Sequence, residues 1–180
     1  MKRITVATDW LDGCSGCHMS FLDMDERLVE LIKMGVELNA TPITDLKEPT
    51  EIVDIGILEG TVSTNHHIEV VRNMREKCKI LIAMGDCAVF GGISTMRNYF
   101  SIEELLRRGY IETESTVDGK IPTSPEIGKH IRFAKSVNQI VKVDFYIPGC
   151  PPRADAIYYV LRELVEGRRP ALIGDLLRYD

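Results

Sequence analysis

The chain is 180 residues long, with 44% hydrophobic and 27% charged residues and a formal net charge of −5. Those values describe one globular domain that can bury a core without staples. They exclude a nucleic-acid binder, which needs basic surface, and no run approaches the ~18 apolar residues of a membrane span.

The predicted elements alternate strand and helix. Met1-Lys2-Arg3 runs straight into a first strand, Ile4-Thr5-Val6-Ala7-Thr8. No apolar signal region or twin-arginine export signal precedes it, so a cytoplasmic protein is expected. His18 to Met34 reads as a helix, with Met19, Leu22, Leu28, Leu31 and Ile32 near helical spacing and Gly35 as its stop. Glu37 to Ile43 reads as a second strand, and Ile52 to Leu58 as a third, largely buried one. A charged amphipathic helix is predicted over Asn65–Lys77, opened by a Thr64 cap. A fourth strand follows at Lys79–Met84, then a short helix at Ile102–Arg108 capped by Ser101. From about Tyr110 to Gln139 the pattern loses its period, with prolines and an Asp118-Gly119 turn. Such an irregular insertion is usually functional in a compact domain. Lys142–Ile147 is the fifth strand, and Arg153–Glu166 the closing helix, stopped by Gly167. Strand–helix alternation implies a parallel sheet covered on both faces. Five strands suit the flavodoxin-like order 2-1-3-4-5, in a single α/β domain over residues 1–180.

Five cysteines in a cytoplasmic chain point to metal ligands, redox thiols or small core residues, not structural disulfides. Cys14 and Cys17 follow strand one, Cys87 follows strand four and Cys150 follows strand five. In a parallel sheet all these strand ends share one edge, where open α/β sheets bind ligands. Cys78 falls on the opposite rim and reads as a small buried residue or an ordinary thiol. Gly13, Gly16, Gly85 and the Gly91-Gly92 pair let backbone approach a bulky cluster, and Pro148-Gly149-Cys150-Pro151-Pro152 is a stiffened turn. Helix amino termini nearby supply amides that favour thiolate and tune a cluster's potential.

Two other chemistries share parts of this pattern. Trp10 followed by Cys14-Ser15-Gly16-Cys17, after a strand and opening a helix, suits a thioredoxin-like dithiol. A dithiol needs no two further cysteines on the rim. A structural Cys₄ zinc site usually shows two close pairs, whereas Cys87 and Cys150 are single and distant. A four-cysteine cubane accommodates that spacing. Among the histidines, His66-His67 reads as solvated, and His18, beside Cys17, reads as a helix-end residue before any role near a cluster.

The stretch Trp10-Leu11-Asp12-Gly13-Cys14-Ser15-Gly16-Cys17-His18-Met19-Ser20 resembles the opening cluster motif of nickel–iron hydrogenase small subunits. Gly85-Asp86-Cys87-Ala88 and Pro148-Gly149-Cys150-Pro151-Pro152 resemble the second and third motifs, with Leu58-Glu59-Gly60-Thr61 and Gly91-Gly92 as family-like flanks. The resemblance covers nearly the whole chain. It implies that Cys14, Cys17, Cys87 and Cys150 bind one proximal 4Fe–4S cluster beside the nickel–iron centre of a large subunit.

Many members of that family continue into a region with two more clusters, and periplasmic ones carry an export signal. This chain has no cysteine after Cys150. It is therefore similar to the minimal small subunits of cytoplasmic bidirectional, NAD-reducing hydrogenases. The resemblance then implies partners: a nickel–iron large subunit, and iron–sulfur and flavin diaphorase subunits carrying further clusters, FMN and NAD. The assembly would catalyse H₂ + NAD⁺ ⇌ NADH + H⁺. Hydrogenases serving deazaflavin or ferredoxin acceptors stay open. So does the homologous subunit of the quinone-reducing respiratory complex, although its first motif has two adjacent cysteines. No G-x-G-x-x-G follows a strand, so neither NAD nor FMN is expected on this chain, which should not split hydrogen alone. The resemblance also places a hydroxyl, Ser15, between the paired cysteines. It could pass protons away from the metal site with Glu59, or simply cap the following helix.

Overall fold

The computed structural model describes residues 3–179. Five strands form one all-parallel sheet: β1 (Ile4–Trp10), β2 (Val36–Ala40), β3 (Val53–Glu59), β5 (Cys78–Met84) and β7 (Phe145–Ile147). They lie in the order β2-β1-β3-β5-β7. Counted along the chain, that is the 2-1-3-4-5 arrangement expected from strand–helix alternation. Val6 stands against Ile55, and Ile57 against Ile82, so the hydrophobic runs of three strands align across the sheet centre.

Side chains alternate across the sheet, as a period of two requires. Val6, Ile55, Ile57, Ile82, Met84 and Ile147 face one side. There they meet α1 (Gly16–Leu22), α2 (Glu26–Lys33) and α6 (Ala154–Val165) through Phe21, Leu31, Ile157 and Leu161. Ala7, Leu58, Leu81 and Ala83 face the other side, under Val71 and Met74 of α3 (Asn65–Lys77) and Ala88 of α4 (Gly85–Phe90). Gly56 lets α3 settle onto the sheet: a Cβ there would stand 2.9 Å from both the Cys78 and the Met74 sulfur. Cys78 opens β5 and is buried in this layer, in keeping with a small core residue.

Several elements differ from the sequence expectation. The helix read from His18 to Met34 is two helices, broken at Asp23-Met24-Asp25. Asp25 sits at φ 50°, where an α-helix cannot pass. β7 is only three residues long; just before it the Asp144 N–H donates to the Leu81 carbonyl at 2.9 Å, while the Asp144 carboxylate accepts the Leu81 N–H at 2.8 Å. The irregular insertion is structured in part. After α5 (Ile102–Tyr110), residues 111–129 run without regular structure, and then β6 (His130–Lys135) pairs antiparallel with β4 (Val62–Thr64) in a second, two-stranded sheet. Asn98 fastens β6 by bonding both the N–H and the C=O of Ala134, at 2.7 and 2.9 Å. The two predicted caps are present: Thr64 accepts from the His67 N–H, and Ser101 forms a reciprocal capping box with Glu104.

Candidate iron–sulfur site

The carboxyl ends of β1, β3, β5 and β7 form one rim, and the loops leaving them line a single cavity. Cys14, Cys17, Cys87 and Cys150 all face it. Cys17 sits in the first turn of α1 and Cys87 in that of α4, while Cys14 and Cys150 lie in loops and are exposed.

The loops interlock. Asp12 and Thr61 exchange backbone hydrogen bonds at 3.0 and 2.7 Å, joining the loop after β1 to that after β3. The Thr61 hydroxyl donates to the Gly91 carbonyl at 2.8 Å, reaching the segment behind Cys87. Asp86 and Gly149, each just before a cysteine, bond reciprocally: the Asp86 N–H donates to the Gly149 carbonyl at 2.9 Å, and the Gly149 N–H donates to Asp86 Oδ1 at 2.8 Å. The Ser20 hydroxyl of α1 donates to the Pro152 carbonyl.

Glycines keep the cavity open. At Gly85, where φ is +84°, a Cβ would overlap the Cys17 sulfur; at Gly92 it would lie 2.8 Å from the Cys87 sulfur. Among the described residues, no three His, Cys, Asp or Glu side chains converge on a point that could hold one metal ion. Tetrahedral zinc needs all four sulfurs about 2.3 Å from a single centre. Thiols spread around a glycine-relieved cavity fit a polynuclear cluster instead. Burial, then the neighbouring Glu59 carboxylate, pushes the Cys17 thiol up. Burial does the same to Cys87, against donors from Ile93 and Thr61.

Ser15 and Glu59 also line the cavity. Ser15 precedes α1 at φ 62°, and its hydroxyl makes no capping bond, so capping does not explain the residue. Glu59 is 2% exposed, and its Oε2 accepts the His18 N–H at 2.8 Å. The same oxygen lies 3.1 Å from His18 Nδ1, and His18 Nε2 is 2.9 Å from the Thr8 hydroxyl. His18 lies at the helix end, as expected, and is in addition a buried partner of Glu59. Its place directly after Cys17 is the signal in the sequence that points to it. Sequence reasoning also misses what Asp86 and Tyr179 do. The Tyr179 hydroxyl donates to Asp86 Oδ1 at 2.9 Å, and burial, then Asp86, pushes that phenol up to about 12. No periodicity or motif marks Tyr179. His66 is mostly exposed, as expected of a solvated residue, but the neighbouring His67 is half-buried and accepts the Ser63 N–H through Nδ1 at 3.3 Å.

The structure thus presents a doubly wound parallel sheet with four cysteines on its carboxyl rim. Comparison with known proteins narrows this. Residues 14–164 match the family described as NADH ubiquinone oxidoreductase, 20 Kd subunit. The chain is 43% identical to the NAD-reducing hydrogenase HoxS subunit delta of Cupriavidus necator, over 99% of its own length and 86% of that relative's. It is 31% identical to the sulfhydrogenase 2 subunit delta of Pyrococcus furiosus, over 89% of its length but only 61% of that relative's. A chain of the solved NAD⁺-reducing NiFe-hydrogenase in its H₂-reduced state superposes with a TM-score of 0.94 at 38% identity, covering 99% of this chain and all of that one. The chain belongs to the NADH ubiquinone oxidoreductase 20 Kd subunit family, as a nickel–iron hydrogenase small subunit homologous to those of the NAD-reducing enzymes. Among the described residues, no helix is long and apolar enough to cross a membrane.

Proposed function

We propose that this chain is a single-domain electron relay. It holds one 4Fe–4S cluster on Cys14, Cys17, Cys87 and Cys150, between the nickel–iron site of a large subunit and a diaphorase module. When bound, the cluster supplies one-electron transfer. The observation that carries this reading is that four cysteines from three distant loops line one cavity, and glycines leave room for their sulfurs. The chain's own residues set the ligand positions, through the Asp12–Thr61 and Asp86–Gly149 ties, and keep side-chain bulk out of the cavity. The wider assembly would carry out H₂ + NAD⁺ ⇌ NADH + H⁺, in the cytoplasm. The relationship to the HoxS delta subunit supports NAD as the final acceptor over a deazaflavin or ferredoxin.

Phe90, Ile93, Met96, Tyr99 and Phe100 are all well exposed, on the segment that leaves the Cys87 helix. An apolar surface on that segment supports a protein partner on this rim, and the large subunit is the one that must approach it. Residues 111–129 would contribute to the same interface.

The decisive experiment is iron and sulfide analysis of the anaerobic chain, with cysteine variants. Four irons per chain are expected, retained in Cys78→Ser and lost or diminished in Cys150→Ser. Stoichiometric zinc would overturn the assignment. Native purification should return a nickel–iron large subunit and diaphorase subunits; a quinone-reducing membrane complex would overturn the partner assignment.

A further inference from the structure

Two of the loops bearing ligands are joined by one carboxylate. Asp86 precedes Cys87, Gly149 precedes Cys150, and the two are reciprocally bonded at 2.9 and 2.8 Å across 63 residues of sequence. The Gly149 loop has little freedom of its own. Its φ is +139°, and a Cβ there would collide with the Pro152 backbone. A third group then closes on the same oxygen, for the Tyr179 hydroxyl donates to Asp86 Oδ1 at 2.9 Å from 93 residues away. Around it, Arg178 and Tyr179 face Cys150, Pro151 and Pro152 across a shared cleft, so the 174–179 segment crosses the rim beside the exposed cysteine.

We propose that Tyr179 is a positioning residue: by holding the Asp86 carboxylate, it fixes the spacing of the Cys87 and Cys150 loops. This rests on the four-cysteine cluster reading above. The chemistry favours it, because a carboxylate that accepts an N–H and an O–H at one oxygen makes two charge-assisted bonds. Removing the phenol frees that oxygen to turn toward water, and the Gly149 N–H then loses its fixed acceptor. The Cys150 loop, then held only by the Asp86 N–H on the Gly149 carbonyl and by Ser20 on Pro152, opens more often.

The test uses the full chain, reconstituted anaerobically with iron and sulfide. Its readouts are the rate of cluster loss to an iron chelator and the hydrogen exchange of the Gly149 amide. Tyr179→Phe keeps the ring and removes only the hydroxyl. Both rates should rise roughly tenfold, the size expected for losing one hydrogen bond to a charged acceptor. Asp86→Ala should raise them at least as much, and adding Tyr179→Phe to it should bring no further increase, since the two act through one bond. Asp86→Asn keeps an acceptor oxygen and should hold its cluster, with a more positive midpoint potential. Wild-type rates in Tyr179→Phe would overturn the proposal, and so would fully additive effects in the double variant, which would mean that Tyr179 acts by general packing. If Asp86→Ala does not fold, Tyr179→Phe is read in the Asp86→Asn background, where the amide oxygen still accepts the phenol, so both rates should again rise; rates that Tyr179→Phe leaves unchanged there would overturn the proposal. Gly149 exchange can also be read on the cluster-free chain. A wild-type chain that assembles no cluster would therefore refute the cluster assignment while leaving the Tyr179–Asp86 coupling separately measurable.

Discussion

Gly85 leaves the space that the Cys17 sulfur occupies: a Cβ at residue 85 would overlap that sulfur, and the backbone there lies at φ +84°. Gly85→Ala is therefore strained and displaces the Cys17 sulfur at once. Iron content should fall well below the wild-type value, with a stability loss of about 1–3 kcal/mol from the crowding. Gly109, inside α5, is the matched control, because an added Cβ there meets nothing within 4 Å. Gly109→Ala should keep full iron content and stabilise the fold by ~0.5–1 kcal/mol, the helical cost of glycine relative to alanine. Iron analysis and thermal denaturation of the two variants, side by side, check both halves.

Glu59 is buried, and its carboxylate accepts the His18 N–H one residue beyond Cys17. Glu59→Ala strands that N–H without an acceptor, which costs about 1–3 kcal/mol. Glu59→Gln keeps an oxygen in place and should lose less than half as much in urea unfolding. Equal losses in the two variants would mean that charge, and not the acceptor, holds the loop.

The Ser15 hydroxyl lines the cysteine cavity and caps nothing. An L-residue held in the left-handed region costs roughly 1–2 kcal/mol, so Ser15→Gly should raise the melting temperature while Ser15→Ala leaves it nearly unchanged. Both remove the hydroxyl. If that hydroxyl passes protons, both should slow H₂/D₂O exchange in the assembled complex, while the cluster's EPR signal and electron transfer to acceptor persist. Exchange at the wild-type rate would remove Ser15 from the proton path.

Asp144, just before β7, is a carboxylate whose surroundings link stability to pH. Burial pushes its carboxyl up, but the Leu81 N–H at 2.8 Å and Arg75 Nη1 at 2.6 Å outweigh burial and hold it below its ordinary value. A folded-state pKa below the unfolded one means that the group stabilises the protein above the unfolded value of about 3.9 and loses that contribution as pH falls through the folded value. Asp144→Asn should therefore lower stability at neutral pH and flatten the decline of stability below about pH 5. Urea midpoints measured from pH 7 to pH 3 test the sign.

The sequence alone determined the sheet and the rim on which its cysteines lie. Hydrophobic runs with period two and helical runs with caps at Thr64 and Ser101 are local signals, written in neighbouring residues. Once the strands are parallel, their carboxyl ends must share an edge, so Cys14, Cys17, Cys87 and Cys150 had to meet there. Other features were decided by tertiary structure. The break at Asp25 lies inside a stretch whose periodicity continues through it. β4 and β6 are short and pair between a strand ahead of α3 and one inside the insertion, so neither carries a recognisable pattern by itself. The partners that hold the cavity, Glu59 with His18 and Asp86 with Gly149 and Tyr179, are joined across 41, 63 and 93 residues. Each depends on hydrogen bonds between segments far apart in the chain. No periodicity encodes such a bond, because it exists only where the packed core brings those segments together.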